Sequence, residues 1–479
     1  MLFNSIDFTI FLPIVFLIYW LLNSHLRAQN LFVAISSYVF YGWWDYRFLF
    51  LIFFSTVVDF FIAKNIQKSR DPKVRKLLLI CSLFTNLGLL GVFKYYNFFV
   101  ENFNQAFTFL GYHVNGSSLN IVLPVGISFY TFQTLSYTID VYRSKLQPTH
   151  NFVSFAAFVS FFPQLVAGPI ERATNLLPQF YKSRKFEYTN AVDGLRQILW
   201  GLFKKMVIAD NCALYADMIF NNSESYSGST LALGAVFFAF QIYGDFSGYS
   251  DIAIGTSRLF GFNLMQNFAF PYFSRDVAEF WRRWHISLST WFRDYLYIPL
   301  GGSRSHKVRN VFVIFLVSGF WHGANWTFII WGAINALYFI PLLLAKRNRV
   351  NTSIVAENKR LPSPKELFNI ITTFSLVTIA WVFFRAESVS HALIFIRDMF
   401  SLDLLSLPVY SIRKLIYPIV VLLAFFVVVE WFGRKDKYAI ENLLKNKFTP
   451  IRWAFYTLII FLIGMYMQTE ETPFIYFQF

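Results

Sequence analysis

The chain has 479 residues, of which 56% are hydrophobic and 21% aromatic, while only 14% are charged. Soluble proteins average about 25% charged residues, so this composition, with a mean hydropathy of +0.46, excludes a soluble globular protein and indicates a polytopic membrane protein. The net charge of +15 does not indicate nucleic-acid binding, because the basic residues cluster in short loops between apolar stretches.

The apolar stretches predict an all-α fold of about eleven membrane-crossing helices, organised as a single transmembrane domain over residues 1–479. Glycine, proline or charged residues interrupt several stretches, so we expect some to be re-entrant, short or interfacial. No internal repeat is visible, which argues against an inverted-repeat transporter. The stretches centre near residues 13, 37, 55, 86, 130, 159, 203, 236, 315, 333 and 375, with two more near 422 and 460.

Lysine and arginine concentrate in the loops at 64–76, 346–359 and 434–447. The positive-inside rule predicts that such loops face the cytoplasm. Basic loops also attract anionic ligands, so we expect an anionic substrate to enter from this side.

Two apolar stretches contain residues that break helices. They read PVGISFYTFQTLSYTIDVY at 124–142 and FFPQLVAGPI at 161–170. Broken helices at membrane depth line cavities or pack against other protein, because lipid cannot satisfy the freed backbone groups.

The segment YGDFSGYSDIAIG at 243–255 places Asp245 and Asp251 in an apolar run. Buried carboxylates of this kind usually orient a base or satisfy helix ends, and this structural interpretation is favoured. No histidine or further carboxylate stands at ligand spacing, so the sequence predicts no metal site.

The segment EFWRRWHISLSTWFRDYLY at 279–297 is rich in tryptophan and arginine and contains His285. It is too charged to cross lipid as a simple span. We expect a helix from Trp281 to Tyr297 that lies at the interface or dips behind a wall of spans.

Residues 310–345 contain no Asp, Glu, Lys or Arg, yet His322 lies near their middle. A titratable side chain in hydrocarbon is costly unless it lines a polar cavity, so the default interpretation is a functional site. Gly319 and Gly323 flank the histidine and would allow a backbone break or the close approach of a partner helix.

These segments resemble the membrane-bound O-acyltransferase family, in particular its bacterial polysaccharide branch. The resemblance rests on WRRWHISLSTWFRDYLYIPLGGS and SGFWHGANWTFIIWG, and also on PVGISFYTFQTLSYTIDVYR, FFPQLVAGPIER, YGDFSGYSDIAIG and the terminal FIYFQF. It covers essentially the whole chain. It implies that the helices surround a central cavity.

The resemblance assigns the family's invariant histidine to His322 and a second polar position to His285. The first would act as the base that takes a hydroxyl proton, and the second would position the acceptor or polarise a thioester carbonyl. We expect substrate to contact a further set of residues: Trp281, Arg282, Arg283, Trp284, Asp245, Trp321 and Asn325.

The implied reaction is acyl transfer, with acetyl as the expected group, from a cytoplasmic thioester to an extracytoplasmic polysaccharide such as alginate. Acetyl-CoA or an acyl carrier protein would supply the acyl group, no cofactor would be bound permanently, and a periplasmic partner protein would complete the transfer. The expected location is the bacterial inner membrane. Other interpretations stay open: a transporter or flippase with a polar path through His322, Asp245 and Asp251, transfer of D-alanine or another acyl group to an envelope polymer, and a non-catalytic scaffold.

Overall fold

A computed structural model describes residues 1–111, 116–119, 121–166, 168–408, 410–445, 447–468 and 474–475, with backbone only for 410–415. Residue 167 of the FFPQLVAGPI motif and residues 476–479 of the terminal motif lie outside the described residues. All regular elements in the described part are helical, which confirms the all-α fold class. Contacts divide the chain into two compact units: residues 1–191 with 257–264, and residues 192–256 with 265–479.

The first unit contains the N-terminal helices. A π-helical segment, Gly91–Tyr95, joins two of them into one run, Pro72–Phe109. In chain order the helices are α1 (Ile6–Leu21), α2 (Leu26–Gly42), α3 (Phe48–Lys68), α4 (Pro72–Leu90), α5 (Tyr96–Phe109), α6 (Ile127–Tyr142), α7 (Phe152–Ser160), α8 (Phe162–Leu165) and α9 (Ala173–Leu176).

A buried polar cluster lies inside this unit. Asp59 on α3 accepts hydrogen bonds from Asn86 Nδ2 at 2.8 Å and Thr138 Oγ1 at 3.1 Å, on α4 and α6. Buried donors of this kind satisfy a carboxylate that lipid could not. Both broken stretches are confirmed: α6 starts after Gly126, whose φ is 76°, and Phe161 separates α7 from α8.

The second unit contains the later helices, except that residues 188–191 and 257–259, at the ends of two of them, belong to the first unit. A π-helical segment, Phe203–Ala209, joins its first two helices, and another, Arg293–Tyr297, follows α14. The helices are α10 (Tyr188–Leu202), α11 (Asp210–Asn221), α12 (Gly228–Leu259), α13 (Val277–Arg283), α14 (Ile286–Phe292), α15 (Lys307–His322), α16 (Trp326–Leu344), α17 (Pro364–Arg385), α18 (Val389–Met399), α19 (Tyr410–Gly433) and α20 (Thr449–Tyr466).

Each apolar centre named from the sequence falls inside a helix. Among the described residues, 7 helical runs are long and apolar enough to cross a membrane by length and composition. The remaining centres fall in helices that are shorter, more polar or interrupted, as at α1, α7 and α15. These runs are 48–68, 72–109, 228–259, 326–344, 364–385, 416–433 and 449–466.

Close backbone packing joins α15 and α16. A Cβ atom on Gly319 would lie 2.2 Å from the carbonyl oxygen of Phe328, and one on Gly332 would lie 2.3 Å from that of Phe315. Small residues at such crossings let two helices approach closely in a membrane. The predicted close approach at Gly319 is therefore confirmed, and it fixes the end of α15 that carries His322.

Candidate active site

A cavity of about 490 Å³ runs along one face of α15 in the second unit. Its lining follows helical spacing, and the span from Val311 to His322 is roughly 16 Å at about 1.5 Å per residue. The cavity is therefore a long slot with two chemically different ends. The α15 residues on its wall are Val311, Ile314, Phe315, Ser318 and His322.

His322 closes one end of this slot. It is the last residue of α15 and is 3% exposed. Its imidazole packs among aromatic rings, with centroid distances of 4.9 Å to Trp321, 5.2 Å to Trp331 and 5.2 Å to Phe384. These contacts restrict the ring to one orientation beside the cavity.

His285 lines the same cavity. It occupies a break between α13 and α14, where its φ is 43°, a conformation that non-glycine residues seldom adopt. The expectation of one helix from Trp281 to Tyr297 is therefore wrong: two helices of 7 residues flank this break. The expectation that this segment is not a simple span is confirmed.

A buried asparagine holds His285. The Nδ1 atom of His285 lies 3.0 Å from Asn267 Oδ1, which also accepts a hydrogen bond from Ser287 Oγ at 2.9 Å. Asn267 Nδ2 donates to Ser250 Oγ at 3.0 Å, so its carbonyl oxygen is the atom that faces the imidazole. Because that oxygen can only accept, Nδ1 of His285 carries the proton.

The other ring nitrogen, Nε2, then has a lone pair. It is buried and has no hydrogen-bond partner among the residues that the structure describes. Burial lowers the pKa of His285 to about 3, since a charged imidazolium is disfavoured away from water. His285 is therefore neutral at ordinary pH and able to accept a proton inside the cavity.

The opposite end of the slot is basic. Arg282, Arg293 and Arg349 line it together with Asn348 and Tyr297. Arg293 is 59% exposed and pairs with Asp294 at 2.8 Å. Guanidinium groups of this kind bind phosphate through paired N–H donors.

Arginine side chains also hold the loop that borders this basic end. Arg282 donates to the carbonyls of Asn348 and Asn351, each at 2.7 Å. Arg275 donates to the Ser353 carbonyl at 2.6 Å and Arg283 donates to it at 3.1 Å. Arg434 donates to the carbonyls of Val355, Ala356 and Lys359.

The structure places some predicted substrate-binding residues on the cavity wall and others away from it. Trp281, Trp284 and Arg282 line the cavity. The ring of Trp321 lies beside both imidazoles, 6.2 Å from that of His285 and 4.9 Å from that of His322.

Three other residues are absent from the described lining and have structural contacts instead. Arg283 forms an ion pair with Glu279 at 2.8 Å. Asn325 caps α16 by accepting a hydrogen bond from the Thr327 amide at 3.0 Å. Asp245 belongs to a buried ion pair with Lys205.

Buried ion pairs explain Asp245 and Asp251. Asp245 pairs with Lys205 at 2.7 Å and accepts a hydrogen bond from the Ile475 amide at 2.6 Å, while Asp251 pairs with Lys204 at 2.6 Å. These lysines were not predicted from the sequence. The signal was available, because two adjacent lysines in the apolar run LWGLFKKMVIA require buried partners.

Asn267 was not predicted from the sequence either. It lies in the loop between α12 and α13, where an asparagine is ordinary. Only the three-dimensional structure shows that this loop residue faces the imidazole of His285.

Comparison with known proteins gives a consistent result. The sequence profile of MBOAT, the membrane-bound O-acyltransferase family, matches residues 127–384, which include both histidines. The chain is 42% identical over 406 residues to the probable alginate O-acetylase AlgI of Pseudomonas aeruginosa, covering 84% of this chain and 75% of the relative.

Two further relatives extend the similarity. The probable alginate O-acetylase AlgI of Pseudomonas putida is 37% identical over 503 residues, covering 100% of both chains. The peptidoglycan O-acetyltransferase of Helicobacter pylori is 38% identical over 440 residues, covering 85% of this chain and 81% of the relative.

Proposed function

The chain belongs to the membrane-bound O-acyltransferase family, and on this premise we propose that it transfers an acetyl group from a thioester to a hydroxyl of an extracytoplasmic polysaccharide. Its similarity to alginate O-acetylases makes alginate the first acceptor to test. The relative that acts on peptidoglycan supplies the second. The observation that carries the proposal is one slot with two buried histidines at one end and three arginines at the other.

The shape of the slot suits an elongated donor with an anionic head. A thioester on a phosphopantetheine arm, as in acetyl-CoA or an acyl carrier protein, has its phosphate at one end and its reactive carbonyl at the other. Arg293 and Arg349 would bind the phosphate, and the apolar face of α15 would bind the arm. The acyl carbon would then lie near His285 and His322.

Two histidines allow a division of roles. The sequence-based prediction gives the base role to His322. The hydrogen bond from His285 Nδ1 to Asn267 supports the reverse assignment. With its proton on Nδ1, the His285 ring can accept the hydroxyl proton at Nε2. It cannot donate a hydrogen bond from Nε2 to a thioester carbonyl. We therefore assign proton removal to His285 and stabilisation of the oxyanion to His322.

The proposed step forms an ester bond and breaks a thioester bond. The acceptor oxygen bonds to the thioester carbonyl carbon as its proton moves to His285 Nε2. The resulting oxyanion collapses, the carbon–sulfur bond breaks, and the proton on His285 neutralises the leaving thiolate. The products are an ester and a free thiol.

The basic end of the slot contains residues of the 346–359 loop, which the positive-inside rule assigns to the cytoplasm. We propose that the donor enters there, that the protein lies in the bacterial inner membrane, and that the acceptor reaches the histidine end from the other side. A periplasmic partner protein would carry the acetyl group onward to the polymer.

The experiment is acetyl transfer by the purified protein in proteoliposomes, with labelled acetyl-CoA or acetylated carrier protein as donor. Alginate and peptidoglycan fragments are compared as acceptors. We expect His322→Ala and His285→Ala each to lower the rate at least about 100-fold, the range that loss of one positioned catalytic group causes.

The exposed His150 provides a matched control, and His150→Ala should retain the full rate. Undiminished transfer in the His322 or His285 variant, at equal yield of inserted protein, would remove that residue from the mechanism. Absence of transfer to either polymer, with both donors, in native membranes that also retain the partner protein would contradict the proposed acceptors.

A further inference from the structure

A second cavity in the same unit has a different character. It measures about 550 Å³ and its wall is almost entirely apolar. Helices α17 and α19 form its two sides, and none of its lining residues belongs to the histidine-containing slot. The cavity, here called the lateral cleft, is lined by residues that include Phe240, Ile371, Phe374, Phe426, Trp431 and Phe432.

Aromatic rings form a wall of this cleft. Tyr272 lines the cleft and stacks on Phe280 at 6.3 Å and on Trp284 at 6.1 Å. Trp284 in turn lines the slot. These rings lie between the two cavities, so a ligand in the lateral cleft would not occupy the acetyl-transfer site.

The lateral cleft lies at membrane depth near one end of its helices. Both α17 and α19 contain runs that are long and apolar enough to cross a membrane. The α17 residues on the wall extend from Leu367 to Phe374, roughly 10 Å at about 1.5 Å per residue, which is less than one leaflet of the hydrocarbon core, itself about 15 Å thick. Ile371 and Phe432 remain 56% and 55% exposed, so the cleft can receive a lipid chain.

Basic residues border the end of the cleft where α17 begins and α19 ends. Trp431, on the wall, donates its indole N–H to the Arg360 carbonyl at 2.8 Å, and Arg434 donates to the Lys359 carbonyl at 2.9 Å. These bonds hold the basic loop against the cleft. The exposed cations nearest to this end in the chain are Lys359, Arg360, Lys365 and Lys435.

We propose that the lateral cleft binds an anionic phospholipid. One acyl chain lies between α17 and α19 against the aromatic wall, and the phosphate meets the basic residues at the cytoplasmic surface. Apolar lining at acyl-chain depth and cations at headgroup depth occur together at this site, as such a lipid requires. Trp431 stands at the boundary, where tryptophan is enriched in membrane proteins.

The test uses the full-length protein in nanodiscs that contain phosphatidylglycerol or only phosphatidylcholine. Spin-labelled phosphatidylglycerol is added and the surrounding lipid is then exchanged for unlabelled lipid. The fraction of label that stays bound to the protein measures occupancy of the cleft. Ile371→Trp should fill the cleft and lower retention about ten-fold. A triple variant with Lys359, Arg360 and Lys365 changed to glutamine should lower retention roughly five-fold for each removed charge.

Matched controls change similar residues elsewhere. Ile460→Trp places an indole on the lipid-facing surface of α20, and Lys445→Gln with Lys447→Gln removes two other exposed charges. Both should retain the lipid as wild type does. Equal retention of labelled phosphatidylcholine would show that the bound lipid is ordinary annular lipid, and this result would overturn the proposal. Unchanged retention of phosphatidylglycerol in Ile371→Trp would overturn it too. A crosslink from Ile371→Cys to a second copy of the chain would show that protein, not lipid, covers the cleft.

Discussion

Asn267 determines which nitrogen of His285 faces the cavity, and this dependence can be tested. Changing it to aspartate preserves the acceptor oxygen but places a negative charge beside the imidazole. Such a charge raises the histidine pKa from its low, burial-determined value. The neutral base would then be lost as the pH falls through this raised value. We expect the acidic limb of the kcat/KM profile to move upward by about one unit or more.

The same experiment separates the two assignments of the base. If His322 removes the proton, Asn267→Asp can lower the rate but should leave the acidic limb in place. Ser289→Ala is a suitable control, because Ser289 lines the slot and its only described side-chain bond is to the Trp284 carbonyl. Its profile should match that of wild type.

The sequence predicts the two histidines of the slot, but it does not predict the asparagine that orients one of them. His322 is conspicuous because the 36 residues 310–345 contain no Asp, Glu, Lys or Arg and no other histidine. His285 stands in a motif dense with tryptophan and arginine. The orienting role of Asn267 could not be predicted, because it depends on a loop returning to His285 from 18 positions earlier in the chain.

Among the helices, the crossing of α15 and α16 positions His322. Gly319→Ala would place a methyl group 2.2 Å from a backbone oxygen that cannot rotate away. Overpacking of this kind typically costs about 1–3 kcal/mol. We expect a lower midpoint of thermal unfolding in detergent and a reduced rate of acetyl transfer.

Gly88→Ala is the matched control for this change. Gly88 is also inside a helix, α4, but a Cβ atom there would have nothing within 4 Å. Its unfolding midpoint should equal or exceed that of wild type, because alanine favours helix. A Gly319→Ala protein as stable as Gly88→Ala would show that α15 and α16 can separate without consequence.

Helix positions were more predictable than helix continuity. Apolar composition identifies where helices occur, because lipid or protein must cover each apolar stretch. It did not show that the chain breaks at His285, since the residues on both sides are compatible with helix. The positive φ of His285 is held by contacts with Asn267, and those contacts are not encoded locally.

For the whole molecule, the proposed direction of transfer follows from charge. Single cysteines introduced at 64–76 or 346–359, in a variant lacking Cys81 and Cys212, should resist membrane-impermeant maleimide added to intact cells. Both should react after permeabilisation, because basic loops remain in the cytoplasm. A cysteine placed at Asn4, in the turn before α1, should react from outside. Labelling of the two basic loops in intact cells would reverse the assignment of donor and acceptor sides.

The arginine contacts to the loop at 348–359 have a consequence for protein engineering. These guanidinium groups recognise main-chain carbonyls, which every amino acid provides. The path of the loop therefore depends on its main chain and on the buried side chains of Val355 and Ala356, which pack against Ile370, rather than on its exposed side chains. Libraries at the exposed positions 349, 350, 352 and 353 should be accommodated without refolding as long as Val355 and Ala356 are kept. Changes at Arg349, which lines the slot, can then alter donor preference while the histidines remain in position.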